Sequence, residues 1–148
     1  MKIELTNLTA EKCDEMRICS VAEFAMTRME IHPDCELSIS LVDESEMSAL
    51  HVQWMDEPGP TDVLSFPMDE IRPQSRAQGP GMLGDVILCP SFAAAQAREA
   101  GHSMQEELEL LTVHGVLHLL GFDHREPEEK ETMFSLQDGY LAEWRNGA

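Results

Sequence analysis

Basic residues are scarce in this chain. Three Lys and seven Arg face 28 Asp and Glu among 148 residues, a formal net charge of −18. Nucleic-acid clamps ordinarily present a clustered positive face, so this composition excludes a simple basic clamp. Any polyphosphate ligand has to be held by a local site strong enough to overcome a repulsive field. Long apolar runs are missing as well: none approaches the ~20 residues that span a bilayer. The opening Met1-Lys-Ile-Glu-Leu5 alternates charge and hydrophobe and lacks the apolar stretch of a secretion signal. A cytoplasmic chain with no membrane association is expected. The four cysteines (Cys13, Cys19, Cys35, Cys89) form no Cys-x-x-Cys pair, which fits reduced, mostly buried thiols rather than a disulfide framework. What is present is an ordinary apolar content of 43%. A chain of this length hides roughly 68–70% of its extended surface on folding, enough for one core, so residues 1–148 are expected to form a single domain.

Periodicity places the elements. Lys2–Asn7 alternates as a short strand, and Thr9 is a candidate cap for a helix of about twenty residues with Cys13, Met16, Val21, Phe24 and Met29 toward the core. Glu36–Val42 puts Leu37, Ile39 and Leu41 on one face of a half-buried strand. Asp43 or Ser45 starts a short helix carrying Met47, Leu50 and Trp54. Pro58-Gly59-Pro60 predicts a turn, Thr61–Phe66 a strand, and the polar stretch Met68–Gly81 an exposed loop long enough for a functional role. Met82–Cys89 reads as the fourth strand, and Ser91–Ala100 as a helix ended by Gly101. Ser103-Met-Gln-Glu106 is a capping box opening an apolar helix to about Leu120, and Pro127 suits the start of a last helix. The expected architecture is α+β: a small mixed sheet of four strands packed with about five helices.

Three of the six histidines fall within eleven residues, in His114-Gly-Val-Leu-His118-Leu-Leu-Gly121-Phe-Asp-His124. His114 and His118 are one turn apart on one helix face, Gly121 permits the chain to turn out of the helix, and His124 can return to the same point. Three protein ligands with an open fourth position describe a catalytic zinc site, although imidazole also suits other transition metals. The spacing matches that of the metzincin proteases, whose general base is a Glu directly after the first His. Here that position is Gly115, so a protease of this kind would lack its base.

Thr61-Asp-Val-Leu-Ser-Phe-Pro67, Leu83-Gly-Asp-Val-Ile-Leu88 and the histidine motif occur together in this order. Jointly they resemble the YbeY family of bacterial metal-dependent endoribonucleases, over essentially the whole chain. The resemblance implies a single α+β domain with one Zn²⁺ held by His114, His118 and His124 in a cleft. The activity it implies is hydrolysis of single-stranded RNA in 16S rRNA 3′-end maturation and ribosome quality control. Its implied partner is rRNA of the small ribosomal subunit; the acidic surface, separately from the resemblance, suits basic ribosomal proteins or a ribosome-associated GTPase. Thr61, Asp62, Ser65 and Asp85 match motif positions. No general base is identified; Ser65, Asp85 and Arg125 are candidates beside a water on the metal, and Asp62, Asp85 or Asp123 could orient an imidazole.

One departure from the family pattern matters. Many members carry an Arg, considered important for activity, where this chain has Met55 in Leu50-His-Val-Gln-Trp-Met55, and Met cannot hold a phosphate bidentately. Arg125, Arg72 and Arg76 are the candidates to compensate. Two other readings stay open: a zinc-dependent peptidase or other hydrolase, favoured by the ligand spacing and opposed by Gly115, and a non-catalytic ribosome-associated factor with structural zinc.

Overall fold

The computed structural model describes residues 1–147 apart from 56–60; the turn expected at Pro58-Gly59-Pro60 lies outside the described residues, as does the Met55 side chain. The elements in chain order are β1 (Lys2–Asn7), α1 (Glu15–Arg28), β2 (Glu36–Leu41), α2 (Glu44–Met55), β3 (Val63–Pro67), β4 (Met82–Leu88), α3 (Pro90–Ala100), α4 (Met104–Leu119) and α5 (Pro127–Arg145), with a short 3-10 turn at Arg76–Gln78 in the β3–β4 loop. The strands form one mixed sheet in the order β1-β2-β4-β3, giving the expected α+β domain. β1, β2 and β4 run parallel, which requires the helical crossovers the sequence supplies, and β3 pairs antiparallel with β4 at the edge.

Leu37, Ile39 and Leu41 are buried together as the alternation predicted. They face a core built from Ile18, Val21, Ala22, Ala25 and Met26 of α1 and from the apolar residues of α4. α4 is the central element, buried on most of its circumference, and it packs against α1, α3 and α5 as well as β3 and β4. A smaller cluster (Val42, Met47, Leu64, Cys89) covers the other side of the sheet, where Leu50, Phe66 and Ile87 join it. Gly84 sits at a register shift between β2 and β4. A Cβ there would overlap the Phe66 carbonyl and press on Leu119, so this motif glycine lets β3 and the end of α4 close on β4.

Burying α4 carries carboxylates inward, and each has a partner. Glu109, 1% exposed, accepts from Arg17 (2.9 Å) and Arg145 (3.2 Å), tying α4 to α1 and α5. Glu107 meets His102. Among the described residues no buried side-chain nitrogen or oxygen lacks a hydrogen-bond partner.

The start of α1 differs from expectation. Asp14, not Thr9, is the cap, its carboxylate accepting from Arg17 N–H at 3.1 Å. The Thr9 hydroxyl instead closes a local turn with Asn7 and Glu11. Gln105 of α4 decides between these capping side chains: its amide accepts from the Asp14 N–H (2.8 Å) and donates to the Asp14 carbonyl (3.1 Å). The helix therefore begins later, and Met16, expected in the core, stands 84% exposed on its outer face.

Candidate metal centre

α4 is set by its first turn. Ser103 and Glu106 exchange side-chain bonds with each other's backbone N–H groups, the capping box read from sequence. The helix then runs unbroken to Leu119, so His114 and His118 share one face. The Gly121 N–H bonds back to the His118 carbonyl (3.0 Å), and Gly121 adopts φ 100°, a left-handed conformation favouring glycine. The chain folds back there, and the Asp123 carboxylate accepts from the His124 N–H at 2.7 Å, fixing the return.

The result is a near-equilateral triangle of imidazoles. Ring centroids are 5.2 Å (His114–His118), 5.4 Å (His114–His124) and 5.3 Å (His118–His124) apart. One nitrogen from each ring lies within 4.8 Å of the other two, so a common centre is no farther than ~2.8 Å from each, within small side-chain adjustments of zinc–imidazole bonding at ~2.0–2.1 Å. The cluster can hold a metal ion. Phe134 of α5 walls it on one side, 6.0 Å from His114 and 6.1 Å from His124.

Gln137, also on α5 and almost fully buried, completes the centre. Its Oε1 lies 2.8 Å from His114 Nδ1. An amide oxygen only accepts, so Nδ1 carries the proton and Nε2 is left as the atom able to bind an ion. The partner of His114 is thus an amide of α5, not one of the aspartates in the motifs. Burial lowers the pKa of His114, opposed by the Gln137 bond and reinforced by His124. Burial likewise lowers that of His118, together with His114 and His124. Both rings are thus held toward the neutral, ligating form.

Gly115 faces the sheet. A Cβ at this position would stand 2.9 Å from Val86 Cγ1 and 3.2 Å from Ser65 Oγ. The position that bears the metzincin base therefore points into packed β-sheet, with no room for a side chain.

With this geometry fixed, comparison with known proteins is decisive. Residues 3–145 match the family model described as Endoribonuclease YbeY. The chain belongs to the YbeY family. Its relatives include proteins named endoribonuclease YbeY in Rhodococcus erythropolis, 59% identical over 97% of this chain and 82% of that one. Another, in Thermobifida fusca, is 55% identical over 98% and 95%. A third, in Mycobacterium tuberculosis, is 54% identical over 97% and 84%. The solution structure of a Thermotoga maritima protein superimposes with a TM-score of 0.64 at 27% identity, covering 97% of this chain and 92% of that one.

The remaining motif residues of this YbeY member divide by position. Ser65 reaches α4, donating its hydroxyl to the Gly115 carbonyl at 3.3 Å. Asp62 accepts from the Val63 N–H (2.8 Å) and the Thr61 hydroxyl (3.3 Å) at the start of β3. Asp85 is not brought to the triad. Strand alternation turns it to the opposite face from Val86, into a groove with Leu50, Trp54 and Phe66. Asp123 serves the His124 backbone and pairs with Arg125 Nε at 3.2 Å. Arg76 is held at the end of α1, its N–H bonded to the Glu30 carbonyl, whereas Arg72 lies against Gly121.

Proposed function

We propose that this YbeY member is a zinc-dependent endoribonuclease, its whole chain forming one hydrolase domain, that cleaves single-stranded RNA during ribosome maturation. The convergence of three imidazoles on one point, in a chain of this family, carries the reading. His114, His118 and His124 would hold the ion. When bound, such an ion supplies Lewis-acid stabilisation of phosphate oxygens and acidifies a coordinated water.

The chain's own residues do the positioning. Gln137 holds the His114 ring in the tautomer that exposes Nε2, and the Asp123 carboxylate pins the backbone of the return turn. Phe134 stands beside His114 and His124 on the α5 side of the rings. Neither Ser65, engaged with α4, nor Asp85, on the other face of the sheet, is favoured as a base.

The substrate in this reading is rRNA of the small subunit, processed at the 16S 3′ end and in the removal of defective ribosomes. The −18 charge supports basic ribosomal proteins or a ribosome-associated GTPase as partners that bring the enzyme to its RNA. Among the described residues no helix is long and apolar enough to cross a membrane, compatible with work in the cytoplasm. The peptidase reading is disfavoured, because Gly115 neither carries a base nor has space for one.

The test is incubation of zinc-loaded protein with labelled structured rRNA and, separately, casein, beside His114→Ala. Zinc-dependent RNA cleavage lost in the variant is expected. Casein cleavage lost in the variant would replace this reading by the peptidase one.

A further inference from the structure

Two grooves flank the turn that carries the third histidine. One, on the α5 side, is walled by Asp123, Glu128 and Glu129 with Thr132, and repels phosphate. Neither cation near it is among its lining residues: Arg125, its side chain 86% exposed, pairs with Asp123, and Lys130 lies 5.5 Å over the Phe134 ring. The other groove, about 320 Å³, runs between the start of the β3–β4 loop and the end of α4, with Pro67, Arg72, His118 and Gly121 in its walls.

Among the described residues Arg72 is the one cation lining this second groove. Its guanidinium lies so close over Gly121 that a Cβ there would overlap Nη1, so the glycine that permits the turn also admits the arginine. The groove has two carboxylates. Asp69 accepts from the Met82 N–H at 2.8 Å, and Glu70 is ion-paired with Arg72 Nη2. A guanidinium paired with a carboxylate, 60% exposed, offers the same planar donor fork that takes a phosphate bidentately.

We infer that Arg72 is the RNA-phosphate anchor of this protein: it binds a backbone phosphate next to the scissile one in the His118 groove, exchanging Glu70 for it. This rests on the endoribonuclease reading and gives it a cation beside His118. The Glu70 pair keeps the groove electrostatically quiet until a phosphate competes for the fork.

Binding of a fluorescent single-stranded oligoribonucleotide, 2′-O-methylated so that it is not cut, is measured by anisotropy with zinc-loaded protein at several salt concentrations. Cleavage of the unmodified strand and bound zinc are measured in parallel. Arg72→Ala is expected to weaken binding about tenfold at low salt and to flatten the salt slope by about 0.7, the value for one contact to a single strand, with zinc content unchanged. Glu70→Gln is expected to tighten binding severalfold, and Arg76→Ala to leave both quantities as in wild type. Equal affinity and slope in Arg72→Ala and wild type would overturn the inference, as would loss of zinc accompanying loss of binding. If wild type binds but never cleaves, the nuclease reading fails, and the slope still decides the role of Arg72.

Discussion

Removing the Gln137 amide while keeping its bulk is the sharpest probe of the metal centre. In Gln137→Leu the His114 Nδ1–H loses its acceptor at 2.8 Å in a site where Gln137 is only 6% exposed. Leaving such a donor unpaired costs about 1–3 kcal/mol. The ring is then free to place its proton on either nitrogen and to turn away from the common centre, and outer partners of this kind are worth about 10–100-fold in metal affinity. At saturating zinc that loss removes a further ~1.4–2.7 kcal/mol of linked stability. Taking about 3 kcal/mol in the loaded state, and about 2–4 °C per kcal/mol at this chain length, the thermal midpoint falls by about 6–12 °C. The fall is larger with zinc than with chelator. Gln137→Glu, which keeps the acceptor, is expected to retain zinc near wild-type affinity. Chelator competition and thermal melts with and without zinc measure both terms. Zinc affinity in Gln137→Leu within twofold of wild type, or apo imidazole nitrogen shifts showing His114 protonated at Nε2 in wild type, would refute the reasoning.

Other consequences follow from the same geometry. Purified protein is expected to carry about one zinc per chain, by elemental analysis, and His118→Ala to lose most of it, since two ligands on a loop and a helix no longer close the site. Gly115→Glu forces a side chain against Val86 and Ser65, so it is expected to lower the urea midpoint by the equivalent of about 2 kcal/mol or more and to show no casein cleavage. Because His114 and His118 have lowered pKa values when folded, the unfolded chain binds more protons below its ordinary imidazole value of 6.5. Stability of the metal-free protein therefore falls as pH drops through that value. The urea midpoint is expected to decrease between pH 7.5 and 5.5 more in wild type than in a His114→Gln/His118→Gln variant, which shares the rest of the charge. An equal decrease in both removes the argument. Met55→Arg is expected to raise single-turnover RNA cleavage, most at low salt, by adding a phosphate contact; an unchanged rate would show that charge is not limiting.

What the sequence determined by itself is local. The capping box at Ser103 and Glu106 and the spacing of His114 and His118 are set within a few residues, and one helical turn fixes both outcomes. Gly121, three residues beyond His118, is as legible, because a left-handed turn needs a residue without a Cβ. The alternation of Leu37, Ile39 and Leu41 defines its strand face in the same way. Tertiary packing decided the rest. Asn7, Thr9 and Asp14 are all competent capping side chains, and a bond from Gln105, 91 residues away, selected Asp14. Asp85 and Ser65 sit in equally suggestive motifs, yet pairing of Phe66 with Asp85 and of Ser65 with Val86 puts them on opposite faces of the sheet. Gln137 carries no metal-binding signature, and only the packing of α5 on α4 brings it to His114. The same holds for Arg72, indistinguishable in sequence from Arg76 until the loop lays one over Gly121 and the other at the end of α1. Spacing specifies a ligand triad because a helix and a turn are short-range objects, whereas its partners and its surrounding charge depend on which distant surfaces the buried α4 draws together.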